Sequence, residues 1–302
     1  MALKHVKNKI IATQKTGKVT KAMEAVSAVK MRKSQQRALE GRHFAEAAFR
    51  ILENISRSHD AQSHSFLTPG AGTHHCVIVV TSDKGLAGNL NSAVIKEAES
   101  HISHYDKNEV EIVAFGKKGY EYFKNRGYVV PRHFINISDD IQITDVQSTV
   151  THILNAFSSN TYHTVHIVFQ NFISTFEQHP RTHQILPVVP DEVRKMVHDI
   201  LPREGRYSND ASPSSPVVYI TEQPPTALFD VIFALIVEIM VYHALLENKA
   251  SEHSARMIAM KNATDKTKDM VRSLTLLYNK ERQAMITAEV SEITGGIEAM
   301  QR

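Results

Sequence analysis

Two stretches without a proline, residues 3–57 and 226–300, stand at the two ends of this 302-residue chain and limit what it can fold into. Each reads as one long helix, roughly 80 and 110 Å at 1.5 Å per residue. In the first, Val6, Ile10 and Thr13 open an apolar stripe, Val19, Met23, Val26 and Val29 resume it after Gly17, and Ala45, Phe49, Leu52 and Ile55 continue it. Large apolar residues nearly vanish over residues 30–43. A helix that is polar all round must bridge solvent or pair with something outside its own chain. Near the other end Ile286, Val290, Ile293, Ile297 and Met300 keep a strict alternation of four and three, a narrow apolar seam. Upstream, Val271, Leu274, Tyr278 and Met285 form a stripe offset by one residue, about 100° of rotation, so the apolar face turns near Arg282. Two explanations remain open: a helix changing partner within its own fold, or a tip that leaves its partner and enters a separate sleeve.

The middle has a different texture. Residues 60–75 contain Ser, His, Gly and Pro69 and read as a linker. A short apolar run at 76–81 has buried-strand character, and a glycine-containing turn at 82–89 leads into a helix over 90–105. The alternation continues with a strand at 110–115, helices at 118–126 and 144–157, a strand at 164–169 and a final strand at 184–189. Strands alternating with helices predict a parallel or mostly parallel sheet. Residues 201–216 form a polar loop with Pro202, Pro213 and Pro216. The expected fold is α/β: a long antiparallel coiled coil of N- and C-terminal helices (1–60 and 217–302) with an inserted Rossmann-like α/β domain (76–200). Residues 227–246 are apolar enough to imitate a membrane span, but Asp230, Glu238 and His243 interrupt them. An acid near the centre of a span costs about 3 kcal/mol, so a helix buried by protein is expected instead.

Charge is distributed unevenly. The net charge is only +3, yet residues 1–37 hold ten Lys or Arg against the single acid Glu24. Such an arm requires an acidic partner: nucleic acid, an anionic membrane or an acidic protein surface. A nucleic-acid-binding coiled coil would want aromatic side chains among the basic ones, and residues 1–43 have no Phe, Tyr or Trp. No apolar core follows Lys4, Lys7 and Lys9, so no secretory signal is expected. Cys76 is the lone cysteine, which excludes an internal disulfide and fits a small apolar core residue.

The chemistry of an enzyme is missing. The turn at 82–89 follows a strand and precedes a helix, where a phosphate could bind, but it matches neither G-x-x-x-x-G-K-[ST] nor G-x-G-x-x-G. Residues 116–119 (GKKG) are only a basic turn. His74, His75 and Cys76, and His163 with His166, are the only suggestive metal-ligand groups, and adjacent strand residues point to opposite faces. No catalytic, cofactor-binding or metal-binding residue is expected.

Four blocks carry a family resemblance: TKAMEAVSAVKMRKSQ at 20–35, TSDKGLAGNLN at 81–91, ENKASEHSARMIAMKNATD at 247–265 and YNKERQAMITAEVSEI at 278–293. Together they resemble the gamma subunit of bacterial F-type ATP synthases, in order and across essentially the whole chain. The resemblance implies a central rotor shaft without an active site. Its partners would be the alpha and beta subunits of the head, the epsilon subunit and the c-subunit ring, with no nucleic acid and with the membrane met only through the c ring. It further implies that Met23, Lys30, Arg32, Lys33, Arg282, Gln283, Thr287 and Glu289 contact the head. Ile286, Val290, Ile293, Ile297 and Met300 would form an apolar tip in the head's sleeve, and Tyr219 and Glu222 would lie towards the c ring. The location implied is the cytoplasmic face of a bacterial inner membrane, as a peripheral protein. Gly17 stands where the family commonly has a bulkier residue, which puts a bearing contact there in question, and Gly295-Gly296 replaces a Ser- or Ala-Gly pair. One cysteine excludes the two-cysteine redox control of chloroplast members.

Overall fold

The computed structural model describes residues 2–55, 64–200 and 225–300. Helix α1 spans Ala2–Ile55 and helix α6 spans Pro225–Met300. Between them run β1 (His74–Val80), α2 (Leu90–Ile102), β2 (Val110–Phe115), α3 (Lys117–Asn125), β3 (Val129–Phe134), α4 (Thr144–Ser158), β4 (Tyr162–Phe172), β5 (Gln178–Leu186) and α5 (Pro190–Ile200). The chain divides into two compact units, residues 28–256 and residues 1–27 with 257–302, and both long helices contribute to each.

In the larger unit the strands order as β3-β2-β1-β4-β5. The first four are parallel, and β5 returns antiparallel along β4. The expected strands at 76–81, 110–115 and 164–169 are β1, β2 and part of β4, and the last expected strand is the end of the longer β5. Sequence reading missed β3 and α5. The β3 strand lies at the sheet edge and alternates between exposed and half-buried residues, without the apolar run that marked its neighbours.

The pleat sorts β1 cleanly. Cys76, Ile78 and Val80 enter one core with Val150, Ile153 and Phe157 of α4 and Phe233, Val237 and Val241 of α6. Val77 and Val79 enter the other core with Val94 and Ala98 of α2 and Phe123 of α3. Burial raises the Cys76 thiol pKa, so it stays protonated and inert. The apolar start of α6 has a window of mean hydropathy 2.1, long enough to cross a membrane, but 61% of that window is buried within the chain. Phe233, Ile236, Val237, Met240 and Ala244 pack on the sheet, as expected of a helix covered by protein.

In the smaller unit the two helices run antiparallel. Thr13 Oγ1 lies 3.8 Å from Met270 Sδ, and the Thr20 and Thr264 hydroxyls are 2.8 Å apart in a buried bond. Gly17 faces Thr267: a Cβ on Gly17 would stand 2.7 Å from the Thr267 Oγ1. The seam of α1 therefore runs Thr13, Gly17, Thr20, which is small and polar. Of the stripe read from sequence, Val6, Ile10, Thr13 and Met23 are half-buried, but Val19, Val26 and Val29 are 58%, 54% and 69% exposed and do not belong to it. Gly17 lies at the close approach of the two helices. On α6, Thr264, Thr267, Val271, Leu274 and Tyr278 are buried or half-buried at alternating spacings of three and four, while Met285 is exposed.

Two substitutions test these packings. Phe233→Ala removes a fully buried ring and should cost about 3–5 kcal/mol in urea denaturation of the chain, whereas a cost below about 1 kcal/mol contradicts its core position. At Gly17, added helix propensity is worth about 1 kcal/mol and overpacking against Thr267 costs about 1–3 kcal/mol. Gly17→Ala should then be nearly neutral and Gly17→Leu destabilising; a stabilised Leu variant would show that the seam is not close-packed.

Candidate functional site

A doubly wound sheet takes ligands outside the carboxyl ends of its strands, where the strand order reverses. Here that point lies between β1 and β4. The chain's own α6 fills it. Glu247 accepts a hydrogen bond from the Phe172 backbone N–H at 3.0 Å, and Asn248 accepts one from the Gln170 N–H at 3.4 Å. Ser251 donates to the Gln170 carbonyl at 3.2 Å, and Ser254 to the Thr175 carbonyl at 2.6 Å. Asn248, Ser251 and Ser254 are all buried. Their small size lets the helix approach the strand ends while satisfying backbone groups that would otherwise lack partners.

The turn after β1 is equally committed to its own fold. Asp83 Oδ1 accepts from the Lys117 N–H at 2.9 Å, at the N-terminus of α3, and Oδ2 accepts from the Ile137 N–H at 3.0 Å. A helix N-terminus attracts a phosphate through such N–H groups, and here a carboxylate of the chain takes that place. Gly116 starts α3 at φ 94°, and a Cβ there would meet the Thr81 carbonyl oxygen at 2.2 Å, so the turn requires glycine.

Beside this turn is a polar cavity of about 260 Å³, lined among others by Lys30, Lys84, Asp139, Glu252, His253 and Arg256. Asp139, in the loop after β3, is its hub. Its carboxylate accepts from Lys30 of α1 at 2.6 Å and His253 of α6 at 3.0 Å, and lies 3.5 Å from Lys249. Arg37 donates to the Asp139 carbonyl at 3.2 Å and pairs with Asp140. Lys249 also donates to the Ile137 carbonyl at 3.0 Å, and Arg256 pairs with the buried Glu252 at 2.7 Å. The His253 hydrogen bond holds the Asp139 pKa well below the usual carboxylate range; burial opposes this, and the Lys30 bond adds to it. Because the shift is downward, this contribution is complete above the ordinary carboxylate pKa and fades only as pH falls towards the depressed one.

The histidines gather elsewhere in the same unit. The His101 and His166 ring centroids are 4.3 Å apart, and His75 stacks on Tyr105 at 3.8 Å. His163 bonds the Gly70 carbonyl at 2.6 Å, while Cys76 points into the opposite core. Among the described residues no group of three or more His, Cys, Asp or Glu is placed to hold a metal. Burial, and then the charges of His101 and His75, push the His166 pKa down to about 3.

Of the residues expected to meet partners, Met23 is half-buried, and Arg32, Lys33, Arg282, Gln283, Thr287 and Glu289 are exposed. Lys30 is engaged with Asp139, although its side chain remains 48% exposed. Thr287 Oγ1 donates to the Gln283 carbonyl at 2.9 Å. From Asn279 onward every described side chain of α6 is exposed, and Ile286, Val290, Ile293, Ile297 and Met300 are each at least 52% exposed. At the register set by Thr13–Met270 and Thr20–Thr264, Ala2 faces about position 282, so the α6 residues beyond have no described α1 residue opposite. The turn of the apolar face at Arg282 coincides with that limit. Tyr219 and Glu222 lie outside the described residues. Sequence reading missed Asp139, Lys249 and His253; the signal available was a run of charged and polar residues, 247–256, inside an apolar helix.

Comparison with known proteins agrees with this architecture. A family model described as ATP synthase matches residues 2–300. The ATP synthase gamma chain of Legionella pneumophila (strain Corby) is 35% identical over 299 residues, covering 98% of this chain and 99% of that one. That of Pelotomaculum thermopropionicum is 32% identical over 300 residues, covering 99% of both. Among solved structures, a chain of the Euglena gracilis mitochondrial ATP synthase in rotational state 3 superposes with TM-score 0.65 at 18% identity, over 99% of this chain and 94% of that one. A chain from the central stalk and c ring of the Tetrahymena thermophila mitochondrial enzyme gives TM-score 0.61 at 21% identity, over 81% of this chain and 99% of that one.

The buried histidine sets a pH dependence. With its folded pKa depressed below the unfolded value near 6.5, His166 takes up a proton in the unfolded chain first, so stability falls as pH drops below that value. The loss should reach roughly 2 kcal/mol between about pH 6.5 and 5, at about 1.4 kcal/mol per pH unit. Urea denaturation at the two pH values measures it, and His166→Gln should flatten the dependence; an unchanged slope would place the proton uptake elsewhere.

Proposed function

The chain belongs to the ATP synthase gamma-chain family, and on that premise we propose that it is the central rotor shaft of a proton-translocating ATP synthase, coupling c-ring rotation to conformational change at the beta-subunit catalytic sites. It is a non-catalytic subunit of a membrane-associated complex, and its partners are the alpha and beta subunits, the epsilon subunit and the c ring. The bacterial relatives support a position on the cytoplasmic face of a bacterial inner membrane.

The observation that carries this reading is the end of α6. Five large apolar side chains share a narrow seam on a helix exposed on every side from Asn279 onward. Such a surface calls for a cover that this chain does not supply. A sleeve of alternating alpha and beta subunits around Ile286, Val290, Ile293, Ile297 and Met300 is that cover, with Arg282, Gln283, Thr287 and Glu289 making polar contacts at its mouth. On α1 the exposed Arg32 and Lys33, with Met23 and the outer part of Lys30, face acidic loops of the beta subunits, where opposite charge sets orientation and encounter rate. Tyr219 and Glu222 are assigned to the c-ring side on resemblance. In functional terms the chain divides into segments 1–60 and 217–302, whose helices α1 and α6 form the shaft, and the domain 76–200 between them.

Coupling follows from asymmetry. Two helices of unequal length and different side chains present a different surface at each angle, so each beta subunit meets different contacts at any instant. A rotor position shifts a beta subunit's conformational equilibrium only by the difference in those contacts. ATP is made and hydrolysed on the beta subunits.

Truncation tests the assignment. A tagged chain purified from its native membranes should bring down alpha, beta, epsilon and c subunits. Deleting residues 286–302 should lower ATP synthesis and weaken retention of alpha and beta while epsilon and the c ring remain attached. Recovery of nucleic acid, or of none of these subunits, by the full chain would falsify the rotor reading.

A further inference from the structure

The larger unit holds its two long helices in different ways. The apolar half of α6 is packed in the sheet core, an attraction without direction. Residues 28–37 of α1 bury only Met31 and Ser34. What fixes the angle of α1 is polar. Lys30 and Arg37 reach one short loop, residues 139–140, and that loop is gripped from the other side by His253 and Lys249 of α6. His253 and Lys249 are 4% and 10% exposed at their side chains, so their bonds are formed largely out of water. Charge-assisted hydrogen bonds are short and directional, and two helices bonded to the same carboxylate cannot turn independently without breaking one of them.

We propose that Asp139 is a positioning residue for rotary coupling: it locks α1 and α6 at a fixed angle to the α/β domain, so torque entering the domain turns both helices together. The proposal rests on the rotor-shaft reading, and it names the joint that a shaft of two separate helices needs. Apolar packing resists separation but permits rolling, whereas the Asp139 bonds resist rolling. One carboxylate serves both helices, so its loss weakens the polar hold on both at once. Asp139 touches no catalytic group; its carboxylate acts through Lys30, Lys249 and His253.

The experiment uses the assembled complex with its head immobilised and a bead on the α/β domain, reading rotation and the thermal spread of the bead's angle at a stall. Asp139→Asn keeps the shape and removes the charge. It should let ATP hydrolysis proceed while angular stiffness falls, since the ion pairs to Lys30 and Lys249 become weaker ion–dipole bonds. Asp139→Glu, which restores a carboxylate, should recover part of the stiffness. Stiffness unchanged in a rotating Asp139→Asn complex overturns the lock and leaves the rotor reading intact. If the unsubstituted complex does not rotate the bead, the rotor reading itself fails. Should Asp139→Asn fail to assemble, Arg37→Met, which removes one of the two α1 contacts to the loop without stranding a buried charge, decides: partial softening supports the lock and unchanged stiffness overturns it.

Discussion

The rest of the larger unit depends on α6 lying across the open end of the sheet. Parallel strands end with backbone N–H and C=O groups that the sheet cannot pair, and in many α/β folds a loop, a ligand or water meets them. Here Glu247, Asn248, Ser251 and Ser254 bond the backbone of Phe172, Gln170 and Thr175. The same helix, about two to four turns earlier, buries Phe233, Val237 and Val241 in the core. A crevice suited to a ligand has become the dock for a helix, and the polar run inside an apolar segment of α6 is the sequence consequence.

The same substitution of self for ligand recurs at the loops. Asp83 occupies the α3 N-terminus, and Asp139 collects Lys30 and His253. Each carboxylate neutralises donors that a bound anion would otherwise satisfy, and each ties together elements far apart in sequence. The arrangement uses electrostatics for position. Partly exposed pairs such as Lys30–Asp139 add little net stability, because solvent screens them, but their directionality fixes an angle that burial alone would leave free.

What the sequence disclosed follows from which residues carry the signal. The strands β1, β2 and β4 were legible because they are buried on both faces and read as apolar runs, and both long helices were legible from absent prolines and stripe spacing. The β3 strand was hidden because an edge strand needs only half-buried residues, and Pro131, Arg132 and His133 look like a turn. The first half of β5 was hidden for the same reason, its Gln178, His179 and Arg181 being polar edge positions. In the helix pair large apolar side chains drew Val19 and Val26, which are exposed, into the stripe and left out Gly17 and Thr20, which are not exposed. A close-approach seam selects small residues, and these carry almost no hydropathy signal. Asp139 was invisible because nothing local distinguishes it: its partners are more than a hundred residues away in either direction.

These two misreadings bear on how a shaft can work. A surface already satisfied within its own chain has no free energy left to give differently to different partners, and only differential contacts shift a partner's equilibrium. The seam of Gly17, Thr20, Thr264 and Thr267 is spent on holding two helices together, so small polar residues suffice there. The positions left over, Val19 and Val26 on α1 and the seam from Ile286 to Met300 on α6, keep their apolar side chains exposed. At this close approach the weakly hydrophobic residues lie inside and Val19 and Val26 outside, which is the reverse of what stability alone would select. It is the order expected of a helix pair whose outward faces, rather than its inner seam, do the coupling.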